Sequence, residues 1–152
     1  RSLCNNLNDF KSRGVNLPEG LSESSFCLEM GFYRITNSIS GANTSFDAYD
    51  PKSHSRVQVK ACSVLPDLTS FGPKSVWDKL YFIDFYRKGK WDGKFDIYFI
   101  KNDYVYNHKV NRNQTFKQQQ QQKRRPRFSI FNEIVLKNHL KPIKTGDLTK
   151  VV

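Results

Sequence analysis

Phe46-Asp47-Ala48-Tyr49-Asp50, then Pro51–His54, then Ser55-Arg56-Val57-Gln58-Val59-Lys60-Ala61-Cys62, is a strand–turn–strand pattern. It predicts a β-hairpin over 45–62. With 51–54 as the loop, Asp47 falls opposite Gln58, Ala48 opposite Val57 and Tyr49 opposite Arg56. Side chains alternate between faces along a strand, so Gln58 and Lys60 project to one side while Val57, Val59 and Ala61 pack on the other. Directly opposed residues share a face, with Cβ atoms roughly 4.5–5.5 Å apart. Asp47, Gln58 and Lys60 are therefore expected to converge. Asp50 falls on the opposite face, and Cys62 joins the Lys60 face as a small packed residue.

Working outward, 63–79 is irregular and contains Pro66 and Pro73. Residues 80–87 and 95–101 are rich in aromatic and β-branched side chains and flank the turn Gly89-Lys-Trp-Asp-Gly93, which predicts an antiparallel pair. Residues 104–110 read as a further strand. Toward the N-terminus, Leu3, Leu7 and Phe10 suggest a helix end broken by Gly14. Asn16-Leu-Pro-Glu19 reads as a second helix start, with Pro18 suited to the first turn. That helix is expected to run to Met30, with Leu21, Ser25, Leu28 and Phe32 on one side. A strand over 32–36 and a polar loop over 37–44 follow. Residues 128–140 predict a last helix, with Phe131, Ile134, Val135 and Asn138 at helical spacing and Pro142 beyond. Strands in the middle and helices at both ends indicate an α/β domain, a mixed central β-sheet flanked by helices.

The chain has 152 residues, enough for one domain over 1–152 with a sizeable core. It carries 25 Lys plus Arg against 14 Asp plus Glu, a formal net charge of +11. No apolar run approaches the roughly 18 residues of a spanning helix, which argues against a membrane protein. No signal peptide is visible, and the chain begins at Arg1 without Met, which points to missing N-terminal residues. Cys4, Cys27 and Cys62 lack metal-site spacing, so neither a disulfide framework nor structural zinc is expected, and a cytoplasmic setting is.

The positive charge is concentrated. Between Asp103 and Glu133 lie Lys109, Arg112, Lys117, Lys123, Arg124, Arg125 and Arg127, with no acidic residue among them. The same stretch holds Asn107, Asn111, Asn113, Gln114 and the run Gln118–Gln122. Lys and Arg neutralise phosphates, and Arg, Asn and Gln offer bidentate donors to base edges, so a DNA-contact segment over about 104–127 is one reading. A disordered, solvated polar loop is the other.

The hairpin holds the candidate chemistry. An Asp carboxylate and a Gln carbonyl are hard oxygen ligands for a divalent cation such as Mg²⁺. A Lys two residues further along can hold an attacking water or the scissile phosphate, which together would equip metal-assisted phosphodiester hydrolysis. An ordinary strand with polar residues facing water has the same pattern. His54, in the turn, is either a phosphate contact or an exposed turn residue. His108 and His139 have no recognisable catalytic partner, and no nucleophile motif, P-loop or dinucleotide fingerprint is present.

Asp47 with Gln58-Val59-Lys60 resembles the PD-(D/E)xK nuclease superfamily in its minority Gln-x-Lys form, with Phe46 where a Pro often stands. Ser12-Arg-Gly-Val-Asn16 with Pro18-Glu19, Asp67-Leu-Thr-Ser-Phe-Gly-Pro73 with Trp77-Asp78, and Arg125-Pro-Arg-Phe-Ser129 resemble compact type II restriction endonucleases that cut GC-N-GC sites. The resemblance runs over most of the chain and implies a restriction-endonuclease-like fold and a bacterial source. Mg²⁺ is its implied cofactor. Asp47, Gln58 and the backbone carbonyl of Val59 are implied as ligands, and Lys60 as the group that orients water. Gln58 in place of an acidic ligand costs the site a negative charge, which Glu23, or failing that Glu19, would restore. The resemblance adds Ser70 and Lys74 to Lys109, Arg112, Lys117, Gln118, Lys123, Arg124, Arg125 and Arg127 as DNA contacts.

The expected activity is Mg²⁺-dependent, sequence-specific cleavage of double-stranded DNA leaving 5′-phosphates. One active site per chain and two strands per duplex imply a two-fold homodimer. A repair or recombination nuclease of the same fold, and a non-enzymatic basic DNA-binding protein, are the alternatives. Discrete plasmid fragments, structure-dependent nicking or no cleavage at all would separate the three.

Overall fold

A computed structural model describes residues 19–35, 46–62, 67–89 and 92–148. The elements, in order, are α1 (Glu19–Met30), β1 (Tyr33–Arg34), β2 (Ala48–Asp50), β3 (Ser55–Cys62), β4 (Thr69–Ser70), β5 (Lys79–Asp84) and β6 (Lys94–Ile100). Then come α2 (Asn102–Tyr106), α3 (Phe116–Gln121), β7 (Arg127–Phe128), a π-helical segment (Phe131–Leu136) and β8 (Lys144–Asp147). The expected helix over 1–13 and the loop over 37–44 lie outside the described residues.

Six strands form one sheet in the order β1-β2-β3-β5-β6-β8. β3 and β5 run parallel and the other neighbours antiparallel, so the sheet is mixed. The hairpin register is as expected, with Ala48 opposite Val57, Tyr49 opposite Arg56 and Asp50 opposite Ser55. The pair over 79–84 and 94–100 is also antiparallel as expected, with Phe82 opposite Tyr98.

Alternation along the strands divides the core in two. On one face, Val57, Val59, Tyr81, Ile83, Phe95 and Ile97 pack with Phe26 and Cys27 of α1. On the other, Cys62, Leu80, Phe82, Tyr98 and Ile100 pack with Phe71, Trp77, Val105, Phe116, Phe128 and Ile134. Helices thus cover both faces, and no helix among the described residues is long and apolar enough to cross a membrane.

Several local expectations are corrected. Residues 102–106 form a helix, not part of a strand over 104–110. Trp77 stacks on Tyr106 (ring centroids 5.6 Å, planes 8° apart) and donates from Nε1 to Asn102 Oδ1 (2.9 Å), so packing overrides the β-propensity of Tyr-Val-Tyr. Phe128 is a strand residue paired with Thr69, and the last helix begins only after Ser129. Residues 63–79 are not wholly irregular, because β4 lies within them and Lys79 opens β5. Leu28 is exposed while Phe26 and Cys27 are buried, so the inward face of α1 is rotated from the expected one. Ala61 is exposed. β8 was not expected from Lys-Thr-Gly-Asp. It pairs with β6 as an edge strand, and Gly146 allows this because any side chain there would collide with the Phe95 ring.

Candidate active site

Asp47 stands just before β2 and is held by its backbone on both sides. Its N–H donates to the Val57 carbonyl (2.9 Å) and its carbonyl accepts from Ile35 N–H (2.9 Å). Its Oδ2 accepts Gln58 Nε2 (2.8 Å) and the backbone N–H of Val59 (2.9 Å). Gln58 is 7% exposed, and its carbonyl oxygen Oε1 is buried without a hydrogen-bond partner. A buried acceptor left unpaired costs about 1–3 kcal/mol. The amide cannot be turned to relieve this without setting Oε1 against the Asp47 carboxylate. A carboxylate beside an unsatisfied amide oxygen is a hard-oxygen donor set, and it fits a divalent cation such as Mg²⁺.

Lys60 is half-buried on the same face, two residues beyond Gln58, with Nζ 4.9 Å from the centre of the Phe71 ring. Val59 contributes its N–H to Asp47. Glu23 comes from α1, which packs on the Val57/Val59 face, and Arg34 Nε holds its Oε2 at 3.2 Å. Both Glu23 and Asp47 act on the Cys27 thiol, which is pushed up to about 11, first by burial, then by Glu23, against Arg34, and finally by Asp47. Glu19 opens α1. Asp50 is buried on the far face as expected. It accepts from Ser53 Oγ (2.7 Å), Lys52 N–H (2.9 Å) and Lys79 Nζ (3.3 Å), which hold its carboxyl below the usual range. Cys62 is buried beside Asp84, and burial keeps its thiol protonated, which excludes a nucleophile's role.

The basic stretch is folded. Thr115 caps α3 in a reciprocal capping box with Gln118, so the Gln run lies largely in a helix rather than in a disordered loop. Its amides serve the fold. Gln119 is buried and donates to Gln114, Gln114 donates to Gln122, and Gln120 Nε2 donates to the Gly72 carbonyl (3.0 Å). Lys109, Arg112, Lys117, Gln118, Lys123, Arg124, Arg125 and Arg127 are all exposed, as are Ser70, Lys74 and His54. Tertiary structure joins two of these groups. Ser70 pairs with Arg127 across β4 and β7, Phe71 N–H donates to the Pro126 carbonyl (2.9 Å), and the Arg125 guanidinium lies beside Gly72. His54 stands apart at the hairpin tip, in a left-handed conformation (φ 54°), its Nδ1 sharing a hydrogen bond with the Tyr49 hydroxyl (2.9 Å).

Asp67, part of the Asp67–Pro73 motif, has a structural role that its sequence neighbours do not indicate. It is buried and accepts Ser129 Oγ (2.5 Å), Ile130 N–H (2.9 Å), Phe131 N–H (3.3 Å) and Thr69 Oγ1 (3.2 Å), capping the last helix from 62 residues away. No local signal reports so distant a cap. His108 does meet a carboxylate, Glu133, at 3.4 Å, in a cleft of about 440 Å³ that also takes in Lys109, Lys137 and Asn138.

A family model described as Bsp6I restriction endonuclease matches residues 1–137. The chain is 36% identical over 140 residues to a curated protein of Bacillus sp. (strain RFL6), described as type II restriction enzyme Bsp6I. That match covers 90% of this chain and 75% of the relative. No solved structure matches the chain.

Proposed function

The chain belongs to the Bsp6I restriction endonuclease family of type II restriction enzymes, and we propose that its Asp47–Gln58–Lys60 hairpin is the DNA-cleaving centre of a restriction-endonuclease-like fold. The observation that carries this is the buried pairing of Asp47 with Gln58, which leaves one amide oxygen without a donor. Asp47, the Gln58 carbonyl and the backbone carbonyl of Val59 would hold Mg²⁺. When bound, the ion supplies an acidified water and neutralises charge growing on the phosphate. Glu23, with Glu19 as second choice, completes the acidic set.

The Lys60 ammonium orients the attacking water and stabilises the negative charge that develops on the phosphoryl oxygens. Water adds to phosphorus in line with the departing 3′ oxygen. The P–O3′ bond breaks, leaving a 5′-phosphate and a 3′-hydroxyl. Lys109, Arg112, Lys117, Lys123 and Lys74 neutralise backbone phosphates, with Ser70 and His54 beside them. Arg124, Arg125 and Arg127 would read base edges, as would the side-chain amide nitrogen of Gln118, whose oxygen caps α3. A two-fold homodimer on a palindromic duplex gives each strand one centre, and GC-N-GC is the proposed site.

The test is digestion of DNA of known sequence with Mg²⁺ and mapping of the ends, with Asp47→Ala and Lys60→Ala alongside. Both variants should bind DNA and fail to cut. Cleavage at the wild-type rate by either one would remove the hairpin from the chemistry.

A further inference from the structure

Lys60 and Phe71 meet at the seam between the catalytic strand and the basic segment. The Lys60 ammonium lies 4.9 Å from the Phe71 ring centre, within the range at which a cation is drawn to an aromatic face. Phe71 is fully buried, and its ring is held by Phe116 edge-on (4.9 Å), Phe128 stacked (5.8 Å) and Trp77 (5.5 Å). The backbone around it is clamped to the basic segment at three consecutive residues: Ser70 on Arg127, Phe71 on Pro126, and Gly72 on Gln120. A rigid ring thus joins the amine to the exposed Arg and Lys side chains.

We infer that Phe71 is a positioning residue. Its ring face holds the Lys60 ammonium for the scissile phosphate, and its clamped backbone transmits the docking of DNA on residues 116–127 to that amine. This rests on Lys60 acting in cleavage. The relationship couples the two regions, because an amine held through the DNA-contact layer shifts with any displacement of that layer as a duplex seats on it. A duplex that seats the basic segment poorly would be bound yet cut slowly, so discrimination would appear in the cleavage step.

The test replaces Phe71 with 4-fluoro-, 3,5-difluoro- and 3,4,5-trifluorophenylalanine. These nearly keep the ring's volume while withdrawing electron density from its face. The single-turnover cleavage rate of bound DNA should fall stepwise along the series, to about tenfold at the last member. DNA affinity and thermal midpoint should stay near wild type. A flat cleavage rate of bound DNA across the series, with Lys60→Ala inactive, would overturn the inference and leave the proposed function standing. Wild-type cleavage by Lys60→Ala would end both. Gln120→Ala, which removes the Gly72 clamp, should slow cleavage of bound DNA several-fold. Combined with the trifluoro ring, its effect should be less than multiplicative. A multiplicative product would show that the clamp does not act through the ring.

Discussion

One carboxylate oxygen of Asp47 accepts both the Gln58 side-chain amide (2.8 Å) and the Val59 N–H (2.9 Å). The Gln58 carbonyl is thereby turned into a buried position with no donor. Asp47 and Gln58 form a pair that is stable without a cation and still incomplete, because one is anionic and the other is a neutral donor.

Gln58→Glu tests that balance. A second carboxylate 2.8 Å from the first replaces a hydrogen bond with repulsion, so the metal-free protein should lose about 1–3 kcal/mol. The added charge should lower the Mg²⁺ concentration for half-maximal thermal stabilisation by about tenfold, or about 1.4 kcal/mol. Thermal shift with and without added Mg²⁺ reads both effects. Equal Mg²⁺ dependence in the two proteins would exclude residue 58 from the cation's surroundings.

Burial pushes the Asp84 carboxyl above its usual range, against the hydrogen bonds it receives from Tyr86 N–H and Cys62 Sγ. A carboxyl raised in the folded state binds its proton more tightly there. The stability it contributes is present at acid pH and is lost as pH rises from the ordinary carboxylate value through the raised one. Asp84→Asn retains an oxygen for both donors, which meet Oδ1. It should therefore be more stable than wild type at pH 7–8, with the gap closing toward pH 4. Urea denaturation across pH checks this, and a gap that widens on acidification would reverse the sign.

Asp67→Ala removes the acceptor for Ser129, Ile130, Phe131 and Thr69 at once. Caps and charged hydrogen bonds of this kind put the loss at about 2 kcal/mol or more. Amide exchange should show the opening concentrated in residues 129–136. A uniform rise in exchange across the sheet would instead mean that Asp67 supports the whole fold.

Arg112→Ala and Lys117→Ala should each weaken DNA binding similarly for cognate and random duplexes. Each lost phosphate contact should flatten the dependence of log affinity on log salt by about 0.9. Arg127→Ala, beside Ser70 on the β4–β7 ribbon, should reduce discrimination between duplexes more than the salt slope. Titrations at several salt concentrations separate these cases, and a sequence-independent loss at Arg127 would assign it to phosphate.

Sequence pattern alone determined the hairpin. A period of two and a four-residue turn allow one pairing of 45–50 with 55–62; it holds over Ala48–Asp50, and just beyond it Asp47 gives its N–H to Val57 while its carboxylate reaches Gln58. It also located the positive charge, because composition is countable without a fold. Tertiary structure decided what crosses long separations. It set β5 parallel beside β3, gave Asp67 the cap of a helix 62 residues away, placed Phe71 under Lys60, and tied Gln120 to the Gly72 carbonyl. It also overrode the strand-like Tyr104-Val-Tyr106 by stacking it on Trp77. The physical reason is the same in each case. Alternation and turn length act between neighbours, whereas these contacts exist only once two distant segments bury a common apolar surface, and neither segment carries a record of the other.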